Sequence, residues 1–100
     1  MASFDELWTA YARDRRPGNL GARVNGISIG DVDDEVQDVA GSYAGLRSGV
    51  SAARAARLGL ALGDIERVLP LLEPPETKAY FERMASLARA ALVEIVRPEA

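Results

Sequence analysis

Apolar residues recur at Val32, Val36, Val39, Tyr43, Leu46, Val50 and Ala53, spaced 4-3-4-3-4-3. That spacing keeps one stripe of a helix apolar from end to end. It is also the seam of a helix that seeks a partner, within the chain or in a second copy. The pattern predicts a central helix opening at Gly30-Asp31, with Asp31 or Asp33 as its cap and Asp33, Asp34 and Glu35 at the positive end of its dipole. Run unbroken to Leu58, it would be about 40 Å long at 1.5 Å per residue. Opposite the stripe lies a row of small residues: Gly41, Gly45 and Gly49, with Ser48, Ala52 and Ala56 nearby. Each glycine costs about 1 kcal/mol relative to alanine inside a helix, so the row implies close packing of another backbone, or else a break.

The flanking segments are shorter. Ser3 and Glu6 form a capping box ahead of the apolar face Phe4, Leu7, Trp8 and Tyr11, which predicts a first helix ending near Arg15, before Pro17-Gly18-Asn19. Trp8, the only tryptophan, reads as a core anchor. Asn25-Gly26, between Ala22-Arg23-Val24 and Ile27-Ser28-Ile29, is a strong signal for a short hairpin at 22–29. Arms of about three residues cannot stand alone and must lean on a helix. Past the central helix, Gly59 is placed to end it in a left-handed conformation. Asp64 then caps a short helix carrying Ile65, Val68, Leu69 and Leu72, shortened or kinked at Pro70. Pro74-Pro75 stops the chain. Pro75 and Glu76 open a last helix with Phe81, Met84, Ala88, Ala91 and Ile95 inward, Leu87 and Leu92 widening the face, and Pro98 as its end. Together these elements describe one domain, 1–100: an all-α bundle of three to four helices around one long central helix. Two heptad-spaced helices in so short a chain favour a homodimer.

Composition narrows the chemistry. Cysteine and histidine are absent, so disulfides, thiol redox chemistry and the usual zinc, iron and copper ligand sets are out. No cofactor or metal is expected. A net charge of −3 argues against a general nucleic-acid coat. Arginine outnumbers lysine eleven to one, Lys78 being the only lysine, and alanine is abundant. That bias points to a bacterial gene. Asp5 and Glu6 stand where a secretory signal would need a basic start and an apolar run, and no stretch reaches membrane-spanning length, so a cytoplasmic protein with no membrane role is expected.

Three constellations carry the functional readings. Asp31, Asp33, Asp34, Glu35 and Asp38 begin like a calcium loop, but position six is Val36 instead of glycine and position twelve is Ser42 instead of glutamate. Asp34 and Asp38, one turn apart, would make an acid–base pair only inside a concave pocket. A serine nucleophile lacks a histidine base, no motif surrounds Lys78, and no Gly-Lys-Ser or Gly-Lys-Thr phosphate loop occurs. An enzyme is the weakest class, and no small-molecule substrate is evident. The second constellation is the acid-free run from Val39 to Gly63, with Arg47, Arg54 and Arg57. Within it, Gly49-Val50-Ser51 and the following Ala52–Leu58 segment look like the turn and second helix of a helix-turn-helix, with Arg47, Ser51, Arg54 and Arg57 facing DNA. That motif usually has alanine where Gly45 stands and an apolar residue where Ser48 stands. Leu58 to Leu69 resembles the short leucine-rich stretch that links helices in mercury-resistance-type regulators. The resemblance covers twelve residues, lacks the family's winged DNA-reading half upstream, and carries over no residue roles.

The third constellation is the helical seam itself, Val36, Val39, Tyr43, Leu46 and Val50 with Gly41, Gly45 and Gly49. It supports the first functional reading: a small non-enzymatic accessory or regulatory protein that binds protein through its helices, as a homodimer. The alternative is a helix-turn-helix DNA-binding transcriptional regulator. Protein binding goes with an unbroken central helix and an exposed groove. DNA binding goes with a break near Gly49 and outward-facing Arg54 and Arg57.

Overall fold

A computed structural model describes residues 3–47 and 49–96. Four helices pack into a bundle: α1 (Phe4–Arg13), α2 (Ile29–Leu46), α3 (Ala52–Val68) and α4 (Pro75–Val96). A hairpin of β1 (Arg23–Val24) and β2 (Ile27–Ser28) precedes α2, and a single 3-10 turn, Leu69–Leu71, follows α3. The all-α bundle is as the pattern predicts. Two expectations, Ser48 in the small-residue row and Pro98 as the final stop, lie outside the described residues.

Ser3 caps α1, its side chain accepting from the Glu6 amide at 3.2 Å. The helix ends at Arg13, two residues before the expected stop. In the hairpin, Arg23 pairs with Ser28 and Val24 with Ile27. Asn25 and Gly26 both take positive φ, 53° and 78°, as a two-residue turn requires. The chain enters α2 at Ser28, not at Asp31 or Asp33, and Ser28 makes no side-chain capping bond. Here the loop crosses closely: a Cβ on Gly30 would sit 2.5 Å from the Leu20 carbonyl oxygen.

The long central helix is two helices. Arg47 ends α2 in the left-handed region, φ 59°, and Gly49 follows at φ 79°. Ser51 opens α3, its hydroxyl accepting from the Arg54 amide at 3.2 Å. The apolar spacing continues across this break, but the burial does not: Leu46 is 70% exposed and Ala53 exposed, and α3 turns Ala55, Leu58, Ala61, Ile65 and Val68 inward instead. Gly59 does not end a helix: α3 runs through it and through Gly63 to Val68, and Asp64 lies inside it. The Leu58–Val68 stretch is therefore part of α3, not a linker, and Leu69 opens the 3-10 turn. Pro70 instead tightens the chain into the 3-10 turn.

The α2 and α4 helices pack against each other, and each packs against both α1 and α3. They run in the same direction, since Asp33 meets Tyr80 near their starts and Tyr43 meets Glu94 near their ends. The α1 helix runs against them, with Phe4 on Tyr43 and Tyr11 at Asp33. The core is built from Phe4, Ile29, Val36, Val39, Leu58, Ile65, Phe81, Met84 and Leu87, all at most 2% exposed. Of the central stripe, Val32, Val36, Val39 and Tyr43 are buried, while Leu46 is 70% exposed. Trp8 lies half-buried over Gly41, where a Cβ would come within 3.2 Å of the indole; Gly45 faces open space. Of the small-residue row, Gly41 thus makes room for the Trp8 ring of α1, while Gly45 and Gly49 meet nothing.

Candidate functional site

The acidic cluster divides between two faces of α2. Asp31, Asp34, Glu35 and Asp38, at i, i+3, i+4 and i+7, share one face. Asp33 points the other way and is fully buried. One of its oxygens accepts from the Tyr11 hydroxyl at 2.7 Å and the Tyr80 hydroxyl at 2.8 Å. The other accepts from the Arg16 guanidinium, which also reaches Asp34 at 3.3 Å. Asp33 therefore joins α1, α2, α4 and the loop after α1 at one point. Burial and the neighbouring Asp33 carboxylate both disfavour the phenolate: the Tyr11 hydroxyl is pushed far above its ordinary range and Tyr80 up to about 12. The Arg16 guanidinium is held more firmly in its charged form by its bond to Asp33. A cavity of about 230 Å³ adjoins this cluster, lined by Trp8, Tyr11, Arg16, Gln37 and Tyr80 among others. Spacing along the chain did not reveal the constellation, because its members lie 5, 17 and 47 residues apart. The available signal was Asp33 itself, an acid on the inward side of an otherwise apolar helix face.

The outward acids line a groove of about 750 Å³ between the hairpin, α2 and α3. Ile27, Val32 and Ala61 give it apolar wall, and Leu60, 72% exposed, stands on its rim. Five carboxylates, Asp31, Asp34, Glu35, Asp38 and Asp64, face two guanidinium groups, Arg23 and Arg57. Arg57 holds Glu35 through two bonds of 2.6 Å, which favours its charged form further. Asp31 has no ion-pair partner among the described residues. Within those residues, no group of three or more carboxylates is placed to hold a metal ion.

The four residues read as DNA contacts are engaged inside the chain. Arg47 lies over the Phe4 and Tyr43 rings, at 5.2 and 5.4 Å, and pairs with Asp5 and Glu94. Ser51 is a helix cap. Arg54 binds Asp38 at 3.0 Å and Ser42 at 2.9 Å, and Arg57 binds Glu35. Partners run in opposite order along α2 and α3, so the pair is an antiparallel helical hairpin. A helix-turn-helix crosses its two helices at about 90–120° instead.

Among the described residues, no helix is long and apolar enough to cross a membrane. Comparison with protein-family models, curated proteins and solved structures gives no match. Function has to be read from the geometry.

Proposed function

We propose that this is a small accessory or regulatory protein that acts by helix-mediated protein binding and not by catalysis. The observation that carries the reading is the groove beside α3, a concave surface with apolar wall and a large exposed leucine at its rim. Such a combination is what a helix from another protein needs in order to dock. The groove holds Asp34 and Asp38, but Arg16 and Arg54 occupy those carboxylates, which favours binding over proton transfer. A bacterial, cytoplasmic setting and a homodimer belong to the same reading.

The test is photo-cross-linking in the cells that make the protein, with a benzophenone side chain at position 60 and a control at position 71, whose leucine is also exposed. Protein adducts at 60 and not at 71 are expected. Equal adducts at both positions, or none, overturn the reading. Sedimentation velocity reads the oligomeric state.

DNA binding is the second reading, favoured by the break between Arg47 and Gly49. Against it stand the antiparallel hairpin and the engagement of Arg54 and Arg57 by α2. Anisotropy with mixed-sequence duplex DNA at low and moderate salt separates the two. Salt-sensitive binding that disappears in Arg54→Ala with Arg57→Ala would establish the DNA reading.

A further inference from the structure

The groove has a sign as well as a shape. We infer that its occupant is a cationic amphipathic helical segment of another protein, laid along α3 with an apolar side chain against Leu60 and lysine or arginine side chains over Asp31 and Asp34. The inference rests on the protein-binding reading and adds the chemistry of the partner.

Shape sets the length and the apolar contact. Leu60 lies on the exposed side of α3 with Ala53, Ala56 and Gly63, at spacings of seven, four and three residues. These ten residues of rise span about 15 Å, close to three turns. Gly63, on the same side as Leu60, has open space where a Cβ would stand, so a partner can approach the α3 backbone closely there. Beside this face the wall of Ile27, Val32 and Ala61 continues into the groove.

Charge decides among occupants. The lining carries an excess of three negative charges. A second copy of the chain would bring the same excess to the contact, and like charges in apposition oppose association. A neutral segment would strip water from Asp31 without offering it a partner. Arg57 and Arg54 are spent on Glu35 and Asp38. A cationic helix supplies what Asp31 lacks and what Asp34 has only from an Arg16 nitrogen shared with Asp33, at 3.3 Å.

The experiment uses three fluorescein-labelled helical peptides with one shared apolar face. Their polar faces carry lysine and arginine, glutamate, or serine and glutamine. Anisotropy against the full chain should show binding of the cationic peptide that weakens as salt shortens the Debye length from about 30 to 8 Å. Asp31→Asn with Asp34→Asn should weaken it roughly two- to thirtyfold, the range expected for two exposed charge pairs. Leu60→Ser should weaken it about tenfold or more. Circular dichroism verifies that these surface variants remain folded. Equal binding of the acidic or neutral peptide overturns the cationic partner while leaving the docking surface standing. Failure of all three peptides overturns the inference, and cross-linking at position 60 then decides the broader reading separately. A dimer in sedimentation that Leu60→Ser dissolves assigns the face to a second copy and also overturns it.

Discussion

Replacing Asp33 by asparagine removes a buried negative charge while keeping the side chain's size. The new amide still offers one oxygen to the Tyr11 and Tyr80 hydroxyls, now 2.7 and 2.8 Å away. It turns a donor toward Arg16, itself a donor, so the charge-assisted bond is lost. Hydrogen bonds to charged groups are worth about 1.5–3 kcal/mol. The larger loss of about 3–5 kcal/mol for breaking a buried ion pair does not apply in full, because Arg16 is 51% exposed and its freed charge turns to water. Asp33→Asn should therefore cost about 2–3 kcal/mol, or about 10–15 °C in Tm for a domain of this size. Asp33→Ala strands both hydroxyls as well, and should cost about 4 kcal/mol or more. Urea unfolding followed by far-UV circular dichroism and by Trp8 fluorescence measures both. Trp8 is a local probe, its ring 5.7 Å from that of Tyr11. An Asn variant within about 0.5 kcal/mol of the parent, or an Ala variant no worse than Asn, refutes the reasoning.

The same cluster sets an alkaline limit. Because the folded-state pKa of Tyr80 is raised from its ordinary 10 to about 12, the stability it contributes is full below pH 10 and is lost as pH rises toward 12. Tyr11 shifts in the same direction, so stability should fall by about 1.4 kcal/mol per pH unit per tyrosine in that window. Urea midpoints at pH 8, 10 and 11 should show the fall, and Tyr80→Phe should shallow it. Gly30→Ala forces a Cβ against the Leu20 carbonyl and should cost about 1–3 kcal/mol in thermal melts. Gly45→Ala, in open helix surface, should stabilise by about 0.5–1 kcal/mol in the same assay. Ser51→Ala removes the α3 cap and should cost about 1 kcal/mol in urea titrations.

Local chemistry was the legible part of this chain. The Ser3 cap, the Asn25-Gly26 turn and the Pro75 helix start each depend on a few adjacent residues, and each lies where those residues put it. Breaks whose cause is tertiary were hidden. An apolar rhythm can run on past a turn without marking the core: Leu46 and Ala53 continue the 4-3 series but lie exposed, while α3 buries Ala55, Leu58 and Ala61. Tyr43 and Leu58 both face inward although α2 and α3 run in opposite directions. Gly59 illustrates the converse: a residue suited to stopping a helix stops it only where packing asks for an end, and the core continues to Ile65 and Val68. The groove was invisible because its walls come from three separate segments. Its acids were legible as a cluster, and Asp33 is the one among them that falls on the apolar side of the helix.

The division of that cluster links the core to the groove. Asp33 holds the inward side of the first turns of α2 against Tyr11, Tyr80 and Arg16, while Asp31, Asp34 and Glu35, its immediate neighbours, present the opposite side to α3 and the hairpin. A helix turn is stiff, so fixing one face fixes the direction of the other. Arg16 reinforces this by bridging Asp33 and Asp34 across the two faces. On this geometry Asp33 acts on the groove only by position. Asp33→Asn should loosen the first turns of α2 and speed amide hydrogen exchange at Val32 to Glu35, the first amides bonded within the helix, ahead of the rest of it. Protection that falls evenly along α2 would mean that Asp33 supports the bundle as a whole and gives the groove no particular rigidity.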